Sequence, residues 1–252
     1  MKLVRKHIIL FILTISCTLV AAQTVLIKQT VPENFEDIDD GRGPNRAHFS
    51  YPYFALGINS EGYSHENDTI ISPLYGKSME MRFGTRTRIK LNRFLGFGID
   101  YELGYSAHFI NLKDAYALAN FSPDVKKARY QIYTIGAASY FQFNFEPKRG
   151  NQLGSYLDIG IFGGYNFGRK YSQTLKIGKE KSVYTLKKLQ NFEKLNYGPI
   201  IRFGKTVWAI YAKYRYSNSF KNKTTNGNYE LPRLTFGFEY FFGALYSLFG
   251  AL

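Results

Sequence analysis

The chain has 252 residues and carries 33 Lys and Arg against 19 Asp and Glu, which gives a formal charge of +14 at pH 7. Hydrophobic residues make up 45% of the chain, so its composition excludes an intrinsically disordered protein. The single cysteine excludes a disulfide framework and a cysteine-based zinc site. The 21 Tyr, 22 Phe and 23 Gly favour curved strands, and the mean hydropathy of −0.26 is too low for a bundle of membrane helices.

Residues 1–22 have the pattern of a secretory signal peptide. A basic start is followed by an apolar run and then by the small pair Ala21-Ala22. We therefore expect export and cleavage before Gln23. As an alternative, Cys17 would be the acylated cysteine of a lipoprotein, although the residues before it match a lipobox poorly.

The mature chain divides into three parts. Residues 23–47 are polar and contain an acidic stretch, which predicts an extended N-terminal arm on the periplasmic side. A single β-barrel domain is expected over 48–242. Residues 243–252 follow it as a C-terminal tail.

Alternation of apolar and polar residues with period two is the signal that repeats along the domain. It is clearest over 95–109, where odd positions are apolar and even positions are small, polar or charged. Successive side chains of a strand point to opposite faces, so this segment predicts a long, two-faced strand. The same alternation predicts eight strands, over 48–58, 77–91, 95–109, 130–145, 155–167, 195–203, 208–216 and 234–242. Their connections are alternately long and short, which is typical of a transmembrane β-barrel.

The distribution of residues on the two faces predicts which side looks outward. A soluble calycin-like barrel also has eight strands, but its interior is apolar. Here glycines gather on the polar face, where we expect them to make room for long Arg and Glu side chains in a narrow lumen. Aromatic residues lie at both ends of the apolar face, as along 133–145 and 208–216, and predict two girdles at the membrane interfaces. The apolar face should therefore face lipid.

The last predicted strand adds a motif. Gly237 is followed at alternate positions by Tyr240 and Phe242, which is similar to the terminal-strand signal of outer-membrane barrels, although here ten residues follow it. Over about 48–242 the chain resembles small eight-stranded barrels of OmpA/OmpX type and the porin-like outer-membrane β-barrel family. The resemblance implies an all-β, eight-stranded antiparallel transmembrane up-and-down β-barrel in the outer membrane of a Gram-negative bacterium.

Charged residues on the polar face predict an ion-pair network inside the barrel. Its expected members are Glu80, Arg82, Arg86, Arg88, Asp100, Glu102, Asp158, Arg202, Lys213, Arg215 and Glu239. An anion-selective ring in a narrow pore is the alternative, but eight strands leave little lumen for a solute. The hairpin around 92–94 places Arg86 opposite Asp100 in one register or Arg82 opposite Glu102 in the other. A turn at 205–206 would set Phe203 opposite Trp208.

A barrel enzyme that acts on outer-membrane lipid is a second hypothesis. Glu102, Ser106 and His108 lie on one face of one strand and supply an acid, a hydroxyl and an imidazole. Residues two apart are about 6.6 Å apart along a strand, which we expect to be too far for a Ser–His hydrogen bond. We therefore expect no catalytic site, and the sequence shows no metal-binding motif and no cofactor motif.

The long connection over 168–194 is strongly basic. Its cations predict either a solvated loop or a binding site for the phosphates of lipopolysaccharide, formed by Arg169, Lys170, Lys176, Lys179, Lys181, Lys187 and Lys188.

Nucleic acid is not an expected partner of an exported chain. The expected partners are outer-membrane lipid, lipopolysaccharide and a protein of the same membrane. The expected function is a structural, binding or assembly-partner role around a closed polar lumen, and the alternatives are a lipid-modifying enzyme, a narrow pore and a soluble calycin-like binding barrel.

Overall fold

The computed structural model describes residues 44, 46–62, 68–110, 125–146, 153–177, 180–221 and 228–242. The predicted signal peptide, the C-terminal tail, Lys179 and nearly all of the predicted arm lie outside these residues. The described part of the chain contains the following strands: β1 (His48–Ser60), β2 (Asp68–Ile70), β3 (Met79–Lys90), β4 (Leu95–Ile110), β5 (Val125–Asn144), β6 (Ser155–Ile177), β7 (Glu180–Lys187), β8 (Leu195–Lys205), β9 (Trp208–Tyr214), β10 (Asn228–Glu230) and β11 (Leu234–Phe241). No helix in that part is long and apolar enough to cross a membrane.

Eight of these strands form a closed antiparallel barrel. Going round the barrel, the order is β1, β3, β4, β5, β6, β8, β9 and β11, and β11 pairs back with β1. Each strand therefore pairs with the barrel strands that precede and follow it in the chain. The predicted all-β class, the eight strands and the up-and-down order are confirmed.

Two elements outside the barrel lie at its long-loop end. β7 pairs antiparallel with the end of β6 to form a hairpin, and β2 pairs parallel with β10. The prediction of a loop over 168–194 is thus wrong for much of that segment. The β5–β6 register shifts where Tyr133 pairs with Gly168 and Thr134 with Asn166, so Phe167 is an extra residue in β6. Such a bulge inverts the alternation beyond it, and the sequence pattern therefore fades there.

The barrel is polar inside and apolar outside. Arginines and carboxylates of β3, β4, β8 and β11 are buried in the lumen, whereas large apolar side chains such as Ile161, Ile210 and Phe238 are exposed on the outer wall. The arrangement is the inverse of a calycin-like barrel, in which the apolar face lines the interior.

Aromatic side chains form two rows on the outer wall, one towards each end. At the short-turn end ring centroids lie 4.6–6.4 Å apart in the pairs Phe97–Phe141, Phe145–Phe203 and Trp208–Tyr240. At the long-loop end they lie 5.2–6.2 Å apart in the pairs Tyr105–Tyr133, Tyr133–Phe167 and Tyr197–Tyr216. The band between the rows contains exposed aliphatic side chains, including Leu103, Ile135, Ile159, Ile161, Ile201 and Ile210, together with the rings of Phe83 and Tyr101.

Tyrosine rings fill the lumen towards the short-turn end. Each faces a glycine directly across the ladder, in the pairs Tyr53–Gly84, Tyr140–Gly98, Tyr156–Gly204 and Tyr211–Gly237. The expectation that the glycines make room mainly for Arg and Glu is wrong at these positions. A rigid tyrosine ring that lies flat over the neighbouring strand would clash with a Cβ there, whereas a flexible charged side chain can bend around one.

One of the two registers predicted from the sequence is right for the β3–β4 hairpin, whereas the one predicted for the β8–β9 hairpin is wrong. Arg86 lies directly opposite Asp100, as one of the two alternatives has it. The register predicted for the β8–β9 hairpin is wrong, because Phe203 lies opposite Ile210 and Lys205 opposite Trp208. The turn begins one residue later than predicted, at Thr206, whose φ is 57°. The pairing shifts by two residues, so every side chain keeps its predicted face.

A small apolar core closes the long-loop end of the lumen. Its buried members come from connections as well as strands, and are Ile71, Ile110, Val125, Ala128, Ile132, Tyr171, Phe192 and Leu231. Bridges between Pro73 and Ile110 and between Phe192 and Phe220 hold the connections against the barrel. The described part of the lumen is therefore covered at this end.

Candidate functional site

Three arginines surround one carboxylate at the centre of the lumen. Glu239 Oε1 lies 2.9 Å from Arg82 Nη2 and 3.2 Å from Arg202 Nε, and Glu239 Oε2 lies 2.9 Å from Arg86 Nη2. All four side chains are buried. Charges inside a protein need partners of opposite sign, so Glu239 holds three strands of the barrel together.

Four further carboxylates complete the network. Asp100 accepts from Arg86 Nε at 2.9 Å and from Arg202 Nη2 at 2.6 Å. Glu102 contacts Arg82 at 2.6 Å and the Tyr53 hydroxyl at 2.7 Å. Glu80 contacts Arg82 at 2.9 Å and Lys213 at 3.1 Å. Asp158 accepts a hydrogen bond from Gln142 at 3.1 Å. Asp158 lies farther from Arg202 and Arg86, at 3.8 and 3.9 Å.

Two of the predicted network members lie at its margins. Arg88 donates to Gln142 Oε1 at 3.0 Å and to the carbonyl of Pro44. Arg215 lies in the connection after β9, where it pairs with Glu230 at 2.9 Å. Burial lowers the pKa of the Arg215 guanidinium, and the carboxylate of Glu230 offsets part of this shift.

Sequence reasoning missed the polar residues that anchor the connection between β9 and β11. Glu230 accepts from the backbone amides of Ser219 and Leu231 at 2.9 Å. Arg233 donates to the carbonyls of Tyr216 and Ser217 at 2.9 and 3.1 Å. These residues lie outside the alternating segments, so periodicity gives no signal for them.

A polar cavity of about 60 Å³ lies between the charge network and the apolar core at the long-loop end. Ser106 and His108 line it, together with Asn59, Thr134, Asn166 and Lys213. The expectation that Ser106 and His108 cannot hydrogen-bond within one strand is wrong, because Ser106 Oγ lies 3.0 Å from His108 Nε2. Side chains lean along the strand direction, and the long imidazole side chain thereby spans the distance between the two residues.

The third suspected catalytic residue is not part of this pair. Glu102 is held by Arg82 and Tyr53, and His108 Nδ1 has no hydrogen-bond partner within the described residues. His108 is only 6% exposed. The geometry supplies a hydroxyl and a base, but no carboxylate that orients the imidazole.

The basic residues of the β6–β7 hairpin sort onto different faces. Lys170 lies directly opposite Lys187, and Lys176 lies directly opposite Lys181. Residues at even positions of this part of β6 share one face, so both lysine pairs lie on the same side of the hairpin. The opposite face carries Tyr171 and packs on the apolar core.

Two other predicted members of the basic site lie elsewhere. Arg169 is half-buried and donates to the carbonyl of Phe192 at 2.7 Å, which makes it a structural residue of the long-loop end. Lys188 is exposed just after β7 and has a φ of 56°. Lys179 lies outside the described residues.

The outer wall has a shallow apolar groove between β5, β6 and β8. Gly163, Gly164 and Asn196 line both this groove and the polar cavity inside the lumen. A single layer of backbone therefore separates the two spaces. Among the described residues, no group of three or more His, Cys, Asp or Glu side chains is placed to hold a metal ion.

When the sequence is compared with known protein families, no family model matches it, and a comparison with curated proteins also gives no match. Function must therefore be inferred from the geometry of the chain itself.

Proposed function

We propose that the chain is an integral outer-membrane β-barrel with a closed polar lumen and a structural, binding or assembly-partner role, without enzymatic activity. The observation that carries the proposal is the pairing of a buried charge network with an apolar outer wall between two aromatic rows. A soluble protein rarely exposes so continuous an apolar surface. The aromatic rows match the interface girdles of membrane barrels.

The spacing of the rows supports a membrane role. Phe97 and Tyr105 belong to opposite rows and lie eight residues apart on β4. At a rise of about 3.3 Å per residue and a tilt of about 40°, this separation corresponds to roughly 20 Å across the wall. When the size of the rings is added, the height of this part of the outer wall approaches the apolar band of about 25 Å that is typical of outer-membrane barrels.

The contents of the lumen support a closed barrel over a pore. Tyrosine rings fill it at the short-turn end, five carboxylates pair with cations at its centre, and the apolar core covers the long-loop end. An eight-stranded barrel is only wide enough for its own side chains.

The lysine pairs of the β6–β7 hairpin support binding of lipopolysaccharide. Like charges directly opposite each other destabilise a ladder, and a polyanion between them relieves that repulsion. In an even-stranded barrel whose termini lie in the periplasm, the long connections face outward, where lipid phosphates are dense. Each lysine near such a surface contributes on the order of 1 kcal/mol, and salt screens the contribution.

Cell fractionation and electrophoresis test the membrane assignment. The mature protein should sediment with outer membranes, resist extraction with carbonate, and change its electrophoretic mobility on boiling, as a closed barrel does. Recovery from the soluble periplasm, with the same mobility before and after boiling, would overturn the proposal.

A second candidate function is acyl transfer on an outer-membrane lipid. The Ser106–His108 hydrogen bond favours it, because an imidazole at 3.0 Å can accept the hydroxyl proton as the oxygen attacks the carbonyl carbon of an ester. The imidazolium would return that proton to the departing alcohol of the lipid, and water would then release the acyl chain from Ser106 as a fatty acid. Mass spectrometry of lipid A incubated with the protein tests this function. Loss of an acyl chain that Ser106→Ala abolishes would support the enzyme, and unchanged lipid would exclude it.

A further inference from the structure

The groove in the outer wall is formed by small residues. It has a volume of about 450 Å³. Gly136 lies directly opposite Gly164, and Ala137 directly opposite Gly163. A Cβ added at Gly163 would meet no atom within 4 Å, so the space is not filled by neighbouring side chains. The larger side chains at its margin are Ile135, Tyr165, Leu195 and Tyr197.

A pair of lysines lies beyond the groove, towards the long-loop end of the barrel. On the outer face of β5, Tyr133 is the neighbour of Ile135 on the side of the long-loop end. The centroid of its ring lies 6.2 Å from that of Phe167. Lys170 Nζ lies 5.6 Å from the centroid of the Tyr133 ring. Lys187 is directly opposite Lys170, so two lysines lie on the long-loop side of this aromatic row, on the same side of the barrel as the groove.

These cations have no counter-charge within the described chain. Lys170 and Lys187 form no ion pair with any described carboxylate, although they are cross-strand neighbours. Such a pair is unfavourable unless an anion lies between its members. An apolar groove that has two unpaired cations beyond the next aromatic pair along the same strands is complementary to an acyl chain that ends at a phosphate.

We infer that the groove and the Lys170–Lys187 pair together form a specific site for the phosphorylated, multiply acylated glycolipid of the outer leaflet, the lipid A part of lipopolysaccharide. One acyl chain lies against Gly163 and Ala137, and a phosphate lies between the two lysines. The inference rests on the proposed membrane location and adds to it a defined lipid and a defined place on the wall.

The second lysine pair favours this glycolipid over a phospholipid. Lys176 and Lys181 lie six residues beyond Lys170 and Lys187 on the same face, which is about 20 Å along the strands. The compact headgroup of a phospholipid cannot reach both pairs. The phosphorylated sugars that extend from lipid A can.

Native mass spectrometry of the mature protein in detergent tests the site. The protein is titrated with bisphosphorylated lipid A and, in a separate arm, with phosphatidylglycerol. One bisphosphorylated lipid A per barrel should bind, and phosphatidylglycerol should bind more weakly, because it brings one phosphate and two acyl chains to the site where lipid A brings two phosphates and several chains. Gly163→Leu should fill the groove and weaken lipid A binding by about tenfold or more, since losing the burial of two methylenes has an effect of that size.

The charge variants have a matched control. Lys170→Gln with Lys187→Gln should weaken binding of lipid A by about 30-fold at low salt, or about fivefold for each lysine. Lys205→Gln removes an exposed lysine at the end of β8 next to the short turn, outside both the groove and the hairpin, and should leave binding of lipid A unchanged. Ala212→Leu adds bulk to the outer wall on β9, outside the groove, and should also leave it unchanged.

Three results would overturn the inference. The first is that Gly163→Leu binds lipid A as tightly as the parent protein does, and the second is that the variant with Lys170→Gln and Lys187→Gln does. The third is that the parent protein binds phosphatidylglycerol as tightly as lipid A. Should Gly163→Leu fail to fold, Ala137→Leu fills the same groove from β5. Heat-dependent mobility of each variant separates the two proposals. If the barrel folds in the membrane but the groove variants bind normally, only the lipid site fails.

Discussion

Gly98 on β4 lies directly opposite Tyr140 on β5, and a Cβ at Gly98 would come within 2.0 Å of the Tyr140 Cζ. The ring is wholly buried in the lumen, where it lies over the backbone of the neighbouring strand. Tyr140 is paired with a second glycine, Gly160, on its other side. The glycine is therefore required by the shape of the tyrosine and not by any special backbone angle.

Gly98→Ala should destabilise the barrel by about 1–3 kcal/mol, the usual cost of forcing an extra group into a packed interior. Gly104→Ala is the matched control, because its Cβ would make only ordinary contacts, the nearest at 3.7 Å. Urea unfolding of the protein in detergent, followed by the gel shift of the folded form, measures both. In a Tyr140→Ala background the effect of Gly98→Ala should vanish, since the clashing ring is gone. An unchanged effect in that background would contradict the steric explanation.

Glu239→Gln should be among the most destabilising single substitutions in the lumen. The amide keeps the size of the side chain but leaves Arg82, Arg86 and Arg202 with one carboxylate fewer. Breaking a buried ion pair in this way costs about 3–5 kcal/mol.

Asp158→Asn is the control for this loss of charge. The same chemical change there removes a carboxylate that lies 3.8–3.9 Å from its arginines and whose closest partner is Gln142. Its effect on unfolding in urea should be smaller. Equal effects of the two variants would show that distance to the arginines does not decide the cost.

The sequence predicts the barrel well because two periodic constraints coincide in it. One face forms the apolar outer wall and the other lines a crowded polar lumen, so residues such as Ile99 and Asp100 alternate over the whole length of β4. A register error by two residues, as at Phe203 and Trp208, leaves this pattern intact and therefore cannot be detected from it.

The candidate sites are predictable only in part, for a related reason. Alternation finds which charges share the lumen, but the choice of partners depends on side-chain reach across strands far apart in sequence, as for Arg82 and Glu239. The lysine pairs of the hairpin lie beyond the bulge at Phe167, where the alternation changes phase. The groove at Gly163 depends on neighbours from three strands, which no local pattern reports.

Ile210→Arg should impair folding into bilayers by about 2–4 kcal/mol, the cost of a cation on the lipid-facing side near the midplane. Val183→Arg is the matched control. Val183 is also an aliphatic side chain on a strand and is equally exposed, at 63%, but it lies on β7 outside the aromatic rows. The folded fraction in lipid vesicles measures both changes. Similar tolerance of Arg at the two positions would show that the outer wall does not face lipid.

The lumen should conduct no ions in planar bilayers. Arg82, Arg86 and Arg202 lie across the centre of the barrel and are held by carboxylates at 2.6–3.2 Å, so we expect their side chains to block a continuous path of water. Single-channel recordings at high salt check this expectation. Discrete, reproducible openings that persist after removal of trace porins would revive the narrow pore.

The β6–β7 hairpin should be accessible from outside the cell. Both chain ends of an even-stranded barrel lie on one side of the membrane. A barrel that inserts from the periplasm keeps that side in the periplasm, so the short turns should face the periplasm and the long connections the outside of the cell. An epitope inserted at Gly178, between β6 and β7 in the sequence, should be labelled on intact cells. The same epitope inserted after Arg93, in the short turn between β3 and β4, should be labelled only after permeabilisation. The reverse pattern of labelling would invert the orientation, and would remove the lysine pairs at Lys170 and Lys187 from the leaflet that carries lipopolysaccharide.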